Sequence, residues 1–257
     1  MTVPSCLSET DVQCLVLAGG LGRRMRPATE RLPKCLLPVV DRPFVDWQLA
    51  WLVAEQVDRV VLSIGYRGDL VRSHVGDGRR FGLEVDYVDE GDHLLGTAGA
   101  LRLAIDQGLL DPTFFAVYGD SYLPLHLKSV EAAYARQEAP VLMTVYRDPG
   151  QLDHPNAVFE DGMVTRYEKG LADPPPEMCY VDYGLSIWRR QVIESIVPSG
   201  EVADMAAVFT VLSQTRRLAG YEAHERFYEI GSPDGLRSLE VRLQAGPSLR
   251  PTRNVAQ

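Results

Sequence analysis

Residues 13–39 read QCLVLAGGLGRRMRPATERLPKCLLPV, and this stretch narrows the fold more than any other part of the chain. An unbroken apolar run, Cys14-Leu15-Val16-Leu17-Ala18, gives way to Gly19-Gly20-Leu21-Gly22. Arg23, Arg24 and Arg26 follow, and then Lys34 in a Leu32-Pro33-Lys34 context. A run that is apolar on both faces suits a strand buried in the middle of a parallel sheet. A glycine-rich turn after such a strand is how α/β proteins bring backbone N–H groups close to a phosphate. The arginines and the lysine supply positive charge for a strongly anionic ligand.

Four readings of this loop compete. A dinucleotide fingerprint needs a third glycine, and Met25 stands in its place. It also wants an acidic residue after the second strand, where Gly65-Tyr66 is found. A P-loop needs Gly-Lys-Ser/Thr, and the stretch has none. The glycines alone would fit an ordinary strand–turn–helix connection with surface arginines. The basic cluster and Pro33-Lys34 favour a loop that wraps a nucleoside triphosphate.

Other features set outer limits. The 257 residues are 46% hydrophobic, enough for one large α/β domain. The formal net charge is -9, which argues against a nucleic-acid partner but not against a small anion at one basic loop. No apolar run is long enough to span a bilayer, and the first residues lack signal-peptide character. The four cysteines are scattered without metal-ligand spacing, so a reduced, cytoplasmic protein is expected.

Along the chain, strands are expected at residues 13–18, 59–64, 84–88 and 113–118, with helices between them at 43–56, 69–75 and 97–107. That alternation implies a parallel sheet with helices on both faces. Phe44, Trp47, Leu49, Trp51 and Leu52 are assigned to packing, and His93 to a solvent-facing loop. Gly96 would let backbone approach a ligand and Thr97 would cap the following helix; a capped helix packed on the sheet accounts for these two residues equally well. Asp120 follows the strand at 113–118, where α/β sheets bind ligands and where a carboxylate can hold magnesium; a helix N-cap is the alternative. A helix at 127–137 and a strand at 141–146 come next, then a hairpin, 156–160 and 163–168, turning at Asp161-Gly162. A proline-rich loop at 173–177, a long strand at 178–188, a helix at 202–215, a strand at 217–223 and a last helix begun by Ser232-Pro233 complete the reading. The domain is expected to fill residues 13–244, with a β-rich part at about 147–188 and tails at 1–12 and 245–257.

Several of these segments resemble the sugar-1-phosphate nucleotidylyltransferases. Their signature runs Gly-Gly-x-Gly-Thr-Arg-Leu-x-Pro-Leu-Thr and then Pro-Lys-x-x-x-Pro-Val. Residues 19–29 and 33–39 keep Arg24, Pro27, Thr29, Lys34 and Pro38, with Arg23 at the usual threonine. Gly96-Thr97-Ala98-Gly99-Ala100, Gly119-Asp120 and Glu168-Lys169 match further family segments. Asp182-Tyr183-Gly184 stands at the family's Asn-Ala-Gly, and Glu229-Ile230-Gly231-Ser232-Pro233 at its closing Asp-Ile/Val-Gly-Thr-Pro. The resemblance implies a Rossmann-like, mainly parallel mixed sheet with a small β-rich sugar-binding part. It implies condensation of a nucleoside triphosphate with a sugar 1-phosphate, and Mg2+ as cofactor. The pattern is closest to the mannose- and heptose-1-phosphate guanylyltransferases, which points to GTP and a manno-configured sugar. Uridylyltransferases and non-catalytic nucleotide-sugar sensors share much of it.

Carried over position by position, the resemblance makes Arg24, Lys34 and Asp120 catalytic, with Asp120 and Glu229 on the metal. Leu17, Gly19, Gly20, Gly22, Arg23, Arg24, Lys34, Gly96 and Thr97 would hold the nucleotide. Asn156, Glu168, Lys169, Asp182 and Gly184 would hold the sugar. Aspartate at 182 and glutamate at 229 depart from the family pattern. Many relatives are dimers or tetramers, so a homo-oligomer is within the expectation. No hexapeptide-repeat segment follows, so the acetyltransferase half of bifunctional relatives is not expected.

Overall fold

The computed structural model describes residues 13–148, 150 and 155–245. The expected tails at 1–12 and 245–257, apart from Ala245, lie outside these, as do residues 149 and 151–154 of the expected β-rich part. In chain order the elements are β1 (Gln13–Leu17), β2 (Pro38–Val39), β3 (Arg42–Pro43), α1 (Phe44–Ala54), β4 (Arg59–Ile64), α2 (Gly68–Val75), β5 (Glu84–Asp89), α3 (Gly96–Asp106), β6 (Thr113–Tyr118) and β7 (Ser121–Tyr122). There follow α4 (Leu127–Ala135), β8 (Val141–Arg147), β9 (Ala157–Glu160), β10 (Met163–Tyr167), β11 (Tyr180–Arg189), α5 (Arg190–Ile196), α6 (Met205–Gln214), β12 (Leu218–Ala223), β13 (Tyr228–Glu229) and α7 (Pro233–Gln244).

Nine strands form one sheet in the order β5-β4-β1-β6-β11-β8-β12-β10-β9. β5, β4, β1 and β6 are parallel, as the alternation of strands and helices predicts. β11 then enters antiparallel to both β6 and β8, so the sheet is mixed. This is the mainly parallel, mixed sheet that the resemblance implies. β9 and β10 form the expected hairpin, and Tyr180 of β11 pairs with Ala157 of β9.

Alternate strand residues face opposite sides of the sheet. Val16, Leu62 and Phe115 pack with Leu49 and Leu52 of α1, Val71 of α2 and Val130 of α4 on one side. Leu15, Val61 and Phe114 pack with Leu101 of α3, Ile193 of α5 and Phe209 of α6 on the other. At ~25 cal/mol per Å² of apolar surface, these two layers dominate the stability of the fold. A third cluster of Val39, Phe44, Ile230 and Leu239 ties α7 to the strand ends. Trp47 and Trp51 pack partly buried and donate to the Val39 and Leu125 carbonyls, as their assignment to the core requires. Among the described residues no helix is long and apolar enough to cross a membrane.

Two local irregularities interrupt the sheet on either side of β11. β6 and β11 pair from Val117↔Leu185 towards Thr113↔Arg189, and no further. β11 also shifts register against β8 between Asp182 and Ser186, with Gly184 at φ 99°. Non-glycine residues strongly disfavour that angle. The sheet therefore opens between Tyr118 and Asp182, which remain joined by one hydrogen bond, Tyr118 Oη to Asp182 Oδ2 at 3.1 Å.

Candidate active site at the carboxyl ends of the strands

The parallel strands end together, and a cavity of about 240 Å³ opens beyond them. Leu17, Gly19 and Gly20 line it from β1, Ser63 from β4, Glu90 from β5, and Tyr118, Gly119 and Asp120 from β6. Gly96, Thr97 and Ala100 of α3 complete it, together with Lys34. Close approach of the strand ends requires glycine at two of these places. A methyl group on Gly19 would lie 2.6 Å from Glu90 Oε1, and one on Gly119 would lie 2.6 Å from the Leu17 carbonyl oxygen. Gly20 meets nothing within 4 Å. Its backbone faces open space, as a phosphate-binding turn demands.

After Gly22, which takes φ 58°, residues 23–36 fold into three short 3-10 turns. Thr29 Oγ1 donates to the Gly22 carbonyl at 2.9 Å and holds the loop closed. Arg23 and Arg24 remain exposed, while Lys34 turns inward. Lys34 Nζ meets Asp120 Oδ2 at 2.5 Å. A methyl group on Gly231 would lie 3.0 Å from Arg24 Nη2 and 3.4 Å from Lys34 Nζ, so both cations converge on that glycine.

Asp120 and Glu229 are brought side by side by a two-stranded ribbon. β7 and β13 pair antiparallel with Glu229 opposite Ser121, and Ile230 N donates to the Asp120 carbonyl at 3.0 Å. From α1, Gln48 Nε2 donates to the carbonyls of Tyr118 and Ser121, at 2.9 and 3.1 Å, and so fixes the turn that carries Asp120. Among the described residues no group of three or more His, Cys, Asp or Glu gathers to hold a metal. Mg2+ in phosphate-transfer sites is held by one or two carboxylates and the substrate phosphates. The two carboxylates at this ribbon, Asp120 and Glu229, fit that kind of donor set.

A second, larger cavity of about 580 Å³ lies in the opening of the sheet. Asn156, Lys169, Asp182 and Glu229 line it, with Tyr118, Tyr167, Arg24 and Arg226. Burial raises the Asp182 carboxyl pKa above its ordinary value. A hydrogen bond from Gly184 N, the charge of Lys169 and the Tyr118 hydroxyl oppose that shift. Burial likewise raises Glu90 in the smaller cavity, against hydrogen bonds from Leu95 N and the Ser63 hydroxyl.

Not every expected residue falls where its motif suggested. Gly96 is needed for packing: at φ 74°, its added methyl would lie 2.5 Å from the Ala203 carbonyl oxygen. That carbonyl accepts from Ala98 N and Gly99 N and so caps α3. Thr97 does not cap its own helix. Its hydroxyl donates to Asp204 Oδ1 at 2.9 Å and accepts from Met205 N at 2.8 Å, joining the starts of α3 and α6. Glu168 pairs with Arg166 at 2.8 Å rather than with Lys169. Gly184 shapes the bulge of β11 and does not line either cavity. His93 is exposed, as expected. Gln48, Glu90, Tyr167 and Arg226 were missed; Glu90, Tyr167 and Arg226 stood beside recognised motifs, and Gln48 did not.

The comparisons with known proteins agree with this geometry. The nucleotidyl transferase family model matches residues 13–240. The chain belongs to that family. A mannose-1-phosphate guanylyltransferase of Mycobacterium tuberculosis is 29% identical to this nucleotidyl transferase, over 95% of this chain and 69% of its own length. A UTP–glucose-1-phosphate uridylyltransferase of Synechocystis is 25% identical over 76% of this chain and 53% of its own. A D-glycero-alpha-D-manno-heptose 1-phosphate guanylyltransferase of Aneurinibacillus thermoaerophilus is 23% identical over 91% and 99%. The crystal structure of HddC from Yersinia pseudotuberculosis complexed with GMP-PN shares the fold. Its TM-score is 0.72 at 21% identity, covering 90% of this chain and 99% of that one. This nucleotidyl transferase is thus an enzyme of the sugar-1-phosphate nucleotidyltransferase class.

Proposed function

We propose that the enzyme joins GTP to a manno-configured hexose or heptose 1-phosphate, forming a nucleotide sugar and releasing pyrophosphate. One observation carries this reading. The Lys34–Asp120 pair sits at the smaller cavity, Arg24 and Glu229 sit at the larger one, and the β7–β13 ribbon joins the two sets. A nucleotide in the first cavity and a sugar phosphate in the second would meet at these charges.

An oxygen of the sugar phosphate attacks the α-phosphorus. A new P–O bond forms, the bond to the β-phosphate oxygen breaks, and pyrophosphate leaves with that electron pair. The step needs alignment and charge neutralisation rather than a nucleophilic side chain. Arg24 holds the triphosphate and the leaving pyrophosphate, and Lys34 neutralises the α-phosphate. Gly19, Gly20 and Gly22 present backbone to the phosphates, with Arg23 beside them. Leu17, Gly96 and Thr97 border the base and ribose. Asp120 and Glu229 would hold Mg2+, which would supply charge neutralisation at the phosphates. Lys169 takes the sugar phosphate, and Asn156 and Asp182 face the sugar ring.

Guanine is supported by the two guanylyltransferase relatives. It is also supported by Glu90, whose carboxylate borders the smaller cavity, since guanine presents two adjacent N–H donors to such an acceptor. A cytoplasmic setting belongs to the same reading, in keeping with free thiols at Cys14, Cys35 and Cys179.

Pyrophosphate release with Mg2+, measured for each common nucleoside triphosphate against mannose, heptose, glucose and N-acetylglucosamine 1-phosphates, tests the proposal. Turnover is expected with GTP and a manno-configured sugar. Preference for UTP would overturn the base assignment. Absence of turnover with every pair, alongside tight binding of a nucleotide sugar, would make the protein a sensor.

A further inference from the structure

Tyr167 ends β10 with 1% of its surface exposed. Its hydroxyl has no hydrogen-bond partner among the described residues, yet the residue lines the larger cavity. The side chain is held firmly. Its backbone N–H donates to Ser213 Oγ at 3.1 Å, and its carbonyl accepts from Thr210 Oγ1 at 3.1 Å. The ring packs edge-on against Phe209, with centroids 5.5 Å apart. Nearby acceptors are already engaged. Asp182 accepts from Tyr118 Oη and Gly184 N, and Asp204 Oδ1 accepts from Thr97 Oγ1 and Ala206 N.

A buried hydroxyl without a partner destabilises a fold, and phenylalanine would fill the same space without that penalty. The ring that carries this oxygen is rigid and lines a cavity, which suits a ligand that completes the hydrogen bond. Lys169, Asn156 and Asp182 line the same cavity, so the ligand is the sugar rather than the base. We infer that Tyr167 is a specificity residue whose hydroxyl hydrogen-bonds a ring hydroxyl of the sugar 1-phosphate. This inference rests on the sugar 1-phosphate reading above. Burial and the nearby carboxylates of Asp182 and Asp204 keep the phenol protonated, so it can donate as well as accept.

Tyr183 is the internal control. It is fully buried and its hydroxyl also lacks a partner among the described residues, but it packs against Phe227 and Tyr146 and lines neither cavity. Removing either hydroxyl should leave the thermal midpoint equal or higher. Only the loss at residue 167 should alter sugar use.

The test compares wild type, Tyr167→Phe and Tyr183→Phe on mannose, heptose, glucose and N-acetylglucosamine 1-phosphates and on their monodeoxy analogues. Tyr167→Phe is expected to lower kcat/KM for the preferred sugar 1-phosphate by about 10- to 100-fold, the range for a buried hydrogen-bonding group left unpaired. KM for the nucleoside triphosphate stays unchanged. One monodeoxy sugar 1-phosphate should be a poor substrate for wild type yet no worse than its parent sugar for Tyr167→Phe, which names the hydroxyl contacted. If wild type turns over and Tyr167→Phe matches it on every sugar, the inference fails and the proposed function stands. If wild type neither turns over nor binds any of these sugar phosphates, the proposed function fails first and the inference with it.

Discussion

Gly20 and Gly119 both line the smaller cavity, but each is glycine for the opposite reason. A methyl group on Gly119 would strike the Leu17 carbonyl at 2.6 Å and Ala18 Cα at 2.9 Å, and backbone cannot swing aside. Gly119→Ala is therefore expected to destabilise the protein by about 1–3 kcal/mol, as overpacking does. Gly20 has free space around it, so Gly20→Ala should fold at least as stably while hindering the approach of phosphate to the backbone. Urea titration beside pyrophosphate release separates the two: stability lost in one variant, activity lost in the other. Lys34→Ala makes a third contrast. The Lys34–Asp120 pair keeps 15% and 28% side-chain exposure. Its loss should change folding by only ~1 kcal/mol or less. The same change should lower kcat by roughly 10²–10³-fold, the effect of deleting one charge-stabilising contact in a transition state. A kcat within a few-fold of wild type would remove Lys34 from the mechanism.

The starts of α3 and α6 behave as one unit. Ala203 caps α3 through its carbonyl, and Thr97 links Asp204 and Met205 to the same turn. Thr97→Val keeps the shape and removes both hydrogen bonds. The expected loss is about 1–3 kcal/mol. In a chain of this size that lowers the thermal midpoint by roughly 2–4 °C per kcal/mol, measurable by calorimetry. An unchanged midpoint would show that the two helix starts are held independently. Such links explain what was legible in the sequence. That the glycine-rich loop, Lys34 and Asp120 would gather at the strand ends could be read because each lies in a contiguous motif on a strongly apolar strand or just beyond it. The role of Thr97 could not, since it depends on residues 203–205 arriving from elsewhere in the chain. The two-residue strands β2, β3, β7 and β13 are too short to leave a period, and α5 hides in seven residues. Gln48 looked like one more polar position on a helix, yet it is buried and fixes the Asp120 turn.

The folding equilibrium of the whole molecule should carry a signature of the buried carboxyls. Burial raises the pKa of Glu90 in the folded state above its unfolded value. Below the unfolded value the group is protonated in both states and contributes nothing. As pH rises past that point the folded state binds more protons than the unfolded one, so stability falls until the folded pKa is passed. Glu90→Gln removes this dependence. The stability of Glu90→Gln relative to wild type is thus expected to improve as pH rises from ~4 to ~7. Denaturant titrations at those two values measure it, and a relative stability that worsened with pH would contradict the raised pKa.

The β7–β13 ribbon also sets an order of assembly. Residues 121–122 and 228–229 meet across much of the chain, so closing that contact carries a large loop-closure entropy. The nine-strand sheet can form without it, because β13 and α7 supply none of its strands. On refolding from denaturant, helical and strand signal should therefore return before Mg2+-dependent turnover. The lag between the two would report how late the chain acquires its pair of acidic side chains.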